Sequence, residues 1–493
     1  MAASSATVHS SKSAQIRARL DHPIIDSDGH CFELEAAFLE NLLSIGGADL
    51  VDRFKGVFNE TFMDPRWQSF SPAERAERRN LRPTWRGLPA RNTRDLATAM
   101  LPGLLYERMG EMGLDYSVIY TTLGFGFFEI YEDDVRQASC RALNKLRADM
   151  FRPYSDRITP AAVIPMHTPG EAIEELEYCV RELGLKSAMV ASYVKRPIKY
   201  VEKRFQGVGR WAYWLDSFGL DSEYDYDPFW SKCLELGISP TFHSVGYGWG
   251  ARQSISNYVY NHIGSFAASA EIICKSILMG GVATRFPKLT FAFLEGGIPW
   301  ARSLYCDLLG HWHKRNREAL EAYNLDLVNR PQFAELAARY GGELAANRDA
   351  GAIVDAVWRR QMAGQDMTLI DEWAPSGITS PEQIRDIFVK QFYFGCEGDD
   401  PLNALAFKPQ GTPYNIRLNA LYGSDIGHWD VPDMSEVAEE AYEMVEEGLI
   451  TPEDLREFVF VNAVKFWTST NPKFFKGTAV ERETDRLVAD GFK

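Results

Sequence analysis

The chain predicts an α/β fold, a distorted (β/α)₈ TIM barrel with long helical and loop insertions. Three observations carry this. Short apolar runs alternate with segments of helical rhythm across short links, as the βα units of a parallel sheet do. Eight such runs can be counted. Three of them run into residues suited to a divalent metal: Asp28 and His30 after Ile24-Ile25, His243 after Ile238–Phe242, and Asp425 after Ala420–Ser424. In a barrel of parallel strands, such ends meet at one mouth. By the sequence alone, an open α/β sheet also fits.

The first strand is expected at Pro23–Asp26, and a helix from about Glu33 to Leu43. Residues 49–95 contain Pro65-Arg-Trp67 and Arg82-Pro-Thr-Trp-Arg-Gly-Leu-Pro89 and have little periodicity. They read as an excursion that wraps the barrel or roofs its mouth. Asp95–Met112 is expected to be helical and Asp115–Tyr120 a strand, ending in the turn-rich Thr121–Gly126. Asp133–Met150 has the 3.6-residue rhythm of a helix. Ile158–Pro165 predicts a strand, Gly170–Leu183 a helix and Ser187–Val190 a strand. An irregular aromatic and acidic stretch, Trp211 through Trp230, follows. Phe229–Leu236 and Asn261–Leu278 read as helices, and Ile238–Phe242 and Leu289–Leu294 as strands. Residues 298–385 look like a helical insertion. Gln391–Phe394 and Asn419–Gly423 are the last strands, closed by helices at Met434–Glu447 and Thr451–Phe466. Thr451-Pro-Glu-Asp454 is a strong helix start, with Pro in the first turn and acids beside it.

The 493 residues divide into a loose N-terminal arm (1–20), one barrel domain (21–475) with its two insertions, and a C-terminal tail (476–493). A net charge of −15 argues against a nucleic-acid partner, which wants a basic face. It still allows a small anionic substrate, because a local arginine or a metal overrides the global sign. Seven cysteines without a CxxC pair form no disulfide framework, and a reducing, cytoplasmic setting fits. Cys31 and Cys396 fall near strand ends and could line a pocket. The arm lacks the apolar core of a signal peptide, and no run of 18 apolar residues predicts a membrane span.

Asp28 and His30 are two apart, so on an extended strand both side chains share a face. Carboxylate oxygen with imidazole nitrogen suits Zn²⁺, Mn²⁺ or Fe²⁺, with zinc the first expectation. The rival reading is an Asx turn at Asp28 with His30 packed on a helix. His243 precedes the glycine-rich Ser244–Gly250, which would let a ligand approach; a satisfied buried histidine is the alternative. Asp425 could hold the metal, handle a proton or cap the next helix. His428 and Asp430 stand behind it, with His428 either touching substrate or fixing the loop. Glu295 ends another strand and is a further candidate ligand. Glu397, Asp399 and Asp400 read as a solvated turn or, with Glu295, as room for a second ion. Arg196, His167 and Arg252 could hold an acidic substrate, His167 being best placed. Phe125, Phe127, Tyr247 and Trp249 would suit an aromatic one, or pack the insertions.

Ile24-Ile-Asp-Ser-Asp-Gly-His30, Thr241-Phe-His243, Gly281–Leu289 running into Glu295-Gly-Gly297, and Gly423-Ser-Asp425 together resemble the amidohydrolase-related metalloenzymes of the aminocarboxymuconate-semialdehyde decarboxylase type. The likeness, to their larger bacterial members, covers most of residues 22–475. It implies a barrel whose strand ends hold a divalent metal through Asp28, His30, His243 and Asp425; with the reading of the residues themselves, Asp425, His243 and His428 are the expected catalytic groups. It also implies a small-molecule substrate and a homo-oligomer. Many members carry histidine where this chain has Asp28, and a histidine before the paired glycines where it has Glu295. The lysine of two-metal relatives has no match in Ser187–Val190. A single-ion site is therefore expected. Hydrolysis by metal-activated water is the first expectation, and non-oxidative decarboxylation at the same site the second. A non-haem iron or manganese oxygenase is a third, and a metal-bearing structural subunit of a hetero-oligomer a fourth.

Overall fold

The computed structural model describes residues 11–59, 61, 65–83, 91–362 and 371–492. Eight barrel strands follow in order: β1 (Ile25–Cys31), β2 (Tyr116–Thr121), β3 (Ile158–Pro160 and Ala162–Ile164), β4 (Ala188–Val190), β5 (Pro240–Phe242), β6 (Phe291–Phe293), β7 (Phe392–Glu397) and β8 (Asn419–Gly423). Each pairs with the next in parallel register. β3 is broken at Ala161: its first half pairs with β2 and its second with β4. The ring closes where β8 meets β1, with Asp425 N–H donating to Asp28 C=O at 2.9 Å and His30 N–H to Ile426 C=O at 2.7 Å. This is the expected distorted (β/α)₈ barrel.

The strands are apolar runs because both faces are covered, by packed side chains inside and helices outside. Phe291, Phe293, Phe392 and Phe394 are fully buried and meet across β6 and β7, Phe293 stacked on Phe394 and Phe392 edge-on to Phe291 and Phe293. Backbones also approach closely here. A Cβ on Gly395 would lie 2.7 Å from Leu294 Cα, so β7 passes the end of β6 only as glycine.

β1 starts later than the sequence predicts and runs to Cys31, so Asp28 and His30 lie inside it. Its pairing with β2 slips between Asp26 and Gly29. Asp26, buried at that slip, accepts from Ser117 Oγ at 2.5 Å, Ser424 N at 2.9 Å, Ser424 Oγ at 2.8 Å and Asp28 N at 3.1 Å. One carboxylate thereby ties β1, β2 and β8 together.

Helices Asp133–Phe151, Pro169–Arg181, Asp227–Leu236 and Ser265–Met279 fall where the periodicity predicts them. Residues 298–385 are largely helical as expected, with Pro299–Arg315, Arg330–Tyr340, Ala350–Met362 and Pro381–Lys390. Three expectations change, the first being that Asp95–Met112 is not one helix but divides at Leu101 into Thr93–Met100 and Pro102–Arg108. The first long helix runs on to Phe58 through a kink at Gly47, where φ is +76°. The stretch around Trp211 is not all irregular: Tyr213–Asp216 pairs antiparallel with Val194–Pro197, a hairpin built on the link after β4. Within the 49–95 excursion, Trp67 Nε1 donates to Ile255 C=O at 3.1 Å, which pins it to the loop after β5. Residues 84–89 of the Arg82–Pro89 motif lie outside the described residues. At the termini, Lys12–Arg19 is a helix that buries Ile16, and Glu481–Ala489 is another that buries Leu487. Among the described residues no helix is long and apolar enough to cross a membrane.

Candidate metal centre

The ends of β1, β5, β6 and β8 bring Asp28, His30, His243, Glu295 and Asp425 to one point. His30 Nε2 lies 3.3 Å from Asp28 Oδ1, 3.4 Å from Asp425 Oδ1 and 3.2 Å from His243 Nε2. His243 Nε2 lies 3.5 Å from Asp28 Oδ1 and 3.1 Å from Glu295 Oε2. His428 stacks on His30 with centroids 3.9 Å apart and sets its Nδ1 2.7 Å from Asp425 Oδ1. Two donor sets result, Asp28–His30–His243 and His30–Glu295–Asp425–His428, with the donor atoms of each within 4.8 Å of one another.

The backbone aims two of these groups by unusual means. Glu295 and Asp425, each just past a strand end, have φ of +58° and +48°, the left-handed region that residues with a Cβ avoid. Between Asp425 and His428, Gly427 has φ of +93°, and a Cβ there would lie 2.4 Å from His30 C=O. Only glycine lets the β8 loop fold down over β1.

The donor set fits a cation. Asp28 Oδ1, Glu295 Oε2 and both Asp425 carboxylate oxygens are buried, as are the Nδ1 atoms of His30 and His243, and none has a hydrogen bond among the described residues. Buried polar atoms are normally paired. Here Oδ1 of Asp28, Oδ1 of Asp425 and Oε2 of Glu295 face the Nε2 atoms of His30 and His243 at the 3.1–3.5 Å separations quoted above. Ligands about 2.0–2.2 Å from one ion would stand about 3.0–3.6 Å from each other.

The electrostatics agree. Burial and the neighbouring charges of Glu295, Asp430, Glu397 and Asp28 push the Asp425 carboxyl well above the usual carboxylate range. Glu295 is driven up to about 8 by burial, with Asp28 and Asp430 adding and His243 opposing. Glu397 rises by burial and by the charges of Glu295, Asp430 and Asp399. Burial works against the Asp28 anion too, but His243 and His30 outweigh it and bring Asp28 down to about 2. Burial opposes the His243 cation, yet Asp28 and Glu295 raise it to about 9. This many carboxyls in one buried mouth lack positive charge, and a divalent ion supplies it.

The other sequence candidates divide. Phe125 packs edge-on against His243, centroids 4.6 Å apart, and belongs to the mouth. Phe127 does not: it is fully buried against Phe38 and Phe54. Trp249 packs on Tyr193 and Tyr247 on Tyr258. Arg196 is spent on Asp216, His167 C=O and Tyr226 at 2.6–2.9 Å. His167 is half-buried beside Glu171, and Arg252 caps Gly264 C=O. Cys31 faces away from the mouth, toward Arg147 at 2.9 Å. The sequence reading passed over the Lys195–Glu129 ion pair, 2.5 Å long, although Lys195 follows closely on β4.

Residues 120–343, a little under half of the chain, match the family model described as Amidohydrolase. The match and the donor cluster together mark the chain as a metal-dependent enzyme. An amidohydrolase of Mycobacterium avium subsp. paratuberculosis K-10 is 16% identical, with 91% of this chain and 100% of that one covered and a TM-score of 0.50. A 5-carboxyvanillate decarboxylase of Sphingomonas paucimobilis is 13% identical, with 90% and 98% covered and a TM-score of 0.50. Both share the fold.

Proposed function

We propose that the protein decarboxylates a small aromatic carboxylic acid without oxidation, at a centre holding one divalent ion through Asp28, His30, His243, Glu295 and Asp425. The observation that carries this is Asp425, a buried carboxyl at the centre whose Oδ1 lies 2.7 Å from His428 Nδ1 while its Oδ2 has no hydrogen bond among the described residues. Non-oxidative decarboxylation needs a proton donor at the reacting carbon. Oδ1 of Asp425 is the oxygen set against His30 and His428, which leaves Oδ2 for the proton. The ring carbon keeps the electron pair of the broken C–C bond and takes the proton of Asp425, carbon dioxide leaves, and water restores the proton. His428 fixes the carboxyl and His30 by its contact and its stacking. Phe125 and Phe266, edge-on to His243, keep water away and give an aromatic ring a flat wall. A bound divalent ion supplies Lewis-acid polarisation of a substrate oxygen. A set of carboxylates with two imidazoles accepts manganese or iron as readily as the zinc first expected. The decarboxylase of like fold supports this reading.

Hydrolysis is the second reading, favoured by the Amidohydrolase match over residues 120–343. In it Asp425 starts ionised and accepts a proton from water. The test is elemental analysis of the purified chain, followed by incubation with hydroxybenzoates and with aryl esters and amides in D₂O. About one ion per chain, carbon dioxide release and deuterium at the vacated carbon are expected. Ester or amide cleavage without carbon dioxide would select hydrolysis, and oxygen uptake with iron bound would select oxygenation.

A further inference from the structure

Beside the metal centre runs a narrow cleft of roughly 330 Å³, counting the space open to solvent, lined by Phe125, Phe128, Glu129, Tyr193, Lys195 and Ser244 among others. It adjoins the centre through two residues. Phe125 packs on both His30 and His243, and Ser244 is the residue after His243. Among the described residues that line it, Lys195 is the one cation and Glu129 the one anion.

Lys195 is a poor candidate for a purely structural charge. It comes from the hairpin strand Val194–Pro197, outside the barrel, and its side chain keeps 29% of its surface while Glu129 keeps 14%. The buried ion pairs of this barrel are more closed: in Arg147–Glu33 and Arg136–Glu171 each side chain keeps 3% or less. The neighbours fix the place of Lys195. Tyr193 OH donates to Val245 C=O at 2.9 Å, which ties the hairpin to the loop after β5. Glu129 then holds the ammonium by one 2.5 Å contact and the Tyr213 ring faces it at 5.3 Å, while an ammonium has three donors.

We infer that Lys195, set by Glu129, is a specificity-determining residue that receives a second anionic substituent of the substrate, a carboxylate or phenolate remote from the group at the metal centre. The Lys195–Glu129 pair, one cation beside one anion, suits one such substituent. Among the described residues, the charges of Glu295, Glu397, Asp425 and Asp430 bear on one another around the centre, which favours a second anion on the Lys195 side. This rests on the aromatic-acid reading above and deepens it by naming a dianion as the preferred substrate class.

The test is calorimetric titration of the metal-loaded chain with benzoate, isophthalate and monomethyl isophthalate. Isophthalate should bind about tenfold more tightly than its monomethyl ester, the effect of one hydrogen bond to a charged group. Lys195→Met should erase that difference and leave benzoate affinity and metal content unchanged. Glu129→Gln should widen it, because the ammonium loses its competing anion. A preference for isophthalate that survives Lys195→Met, or equal binding of the diacid and its ester by the unaltered chain, overturns the inference and leaves the decarboxylase reading standing. Failure of all three to bind overturns both. Binding without turnover of any aromatic acid overturns only the reaction.

Discussion

Asp26 and Asp28 stand two residues apart on β1, and both are buried. Asp26 accepts four hydrogen bonds, from Ser117, Ser424 and Asp28. Asp28 Oδ1 accepts none, and it faces His30 and His243, with Glu295 and Asp425 close behind. Burial raises the Asp26 carboxyl to about 6, with its donors pulling back. The same strand therefore carries a satisfied carboxylate that holds the barrel shut and an unsatisfied one that opens a site. Burial does not distinguish structure from function here. Whether the surrounding dipoles already answer the charge does.

The sharpest way to break the comparison is Asp425→Asn. Its shape is kept and its proton lost, so turnover on the best substrate of the panel should fall about 10²–10⁴-fold. The urea midpoint of the apo chain should stay or rise, because one crowded carboxyl is gone. A loss of stability with turnover intact would place Asp425 with Asp26 as a structural group.

Chelation comes next. Saturating metal at about a thousand times its dissociation constant stabilises the fold by about 4 kcal/mol, and a chelator removes this. The pH dependence sharpens it. In the apo chain Asp26 and Glu295 have folded values of about 6 and about 8, above those of unfolded carboxyls. Their contribution is complete below about pH 4 and is lost as pH rises through 6 and then 8. The apo melting temperature should thus fall between about pH 5 and pH 8.5, by calorimetry. The loaded protein should be flatter, because the ion favours the ionised carboxylates. An apo profile that rises over that range would contradict the charge crowding.

Asp26→Ala attacks the other side. It strands the hydroxyls of Ser117 and Ser424 and the backbone N–H groups of Asp28 and Ser424 in the interior and unties β8 from β1, which should cost about 3 kcal/mol by urea unfolding. Metal content of the folded fraction should persist. Ser424→Ala is the smallest step. It removes one of the four donors and should cost about 1 kcal/mol, with turnover within twofold.

The alternation of apolar runs and helical segments was enough to place all eight strands within a few residues. The runs are legible because each parallel strand is covered on both faces and must be apolar throughout. Asp28, His30, His243 and Asp425 were legible for the opposite reason: polar, metal-suited residues that interrupt or end such runs need an explanation. Glu295 stood out by the same logic. Phe127 misled because a sequence position near a strand end does not say which way a ring points, and Arg196 because free guanidinium and spent guanidinium look alike in one dimension.

By itself, then, the sequence determined the order of elements and the chemical kind of the centre, since both follow from local patterns of periodicity and residue type. Only the tertiary structure decided which groups meet. The closure of β8 on β1 joins His30 to Asp425 across nearly the whole chain, and it rests on the Asp26 knot, whose donors lie 91 and 398 residues away. The left-handed turns at Glu295 and Asp425, and the hairpin that carries Lys195 to the cleft, depend on long-range packing that overrides local preference. Geometry of that kind is set by the energy of the assembled whole, so no local window of residues contains it.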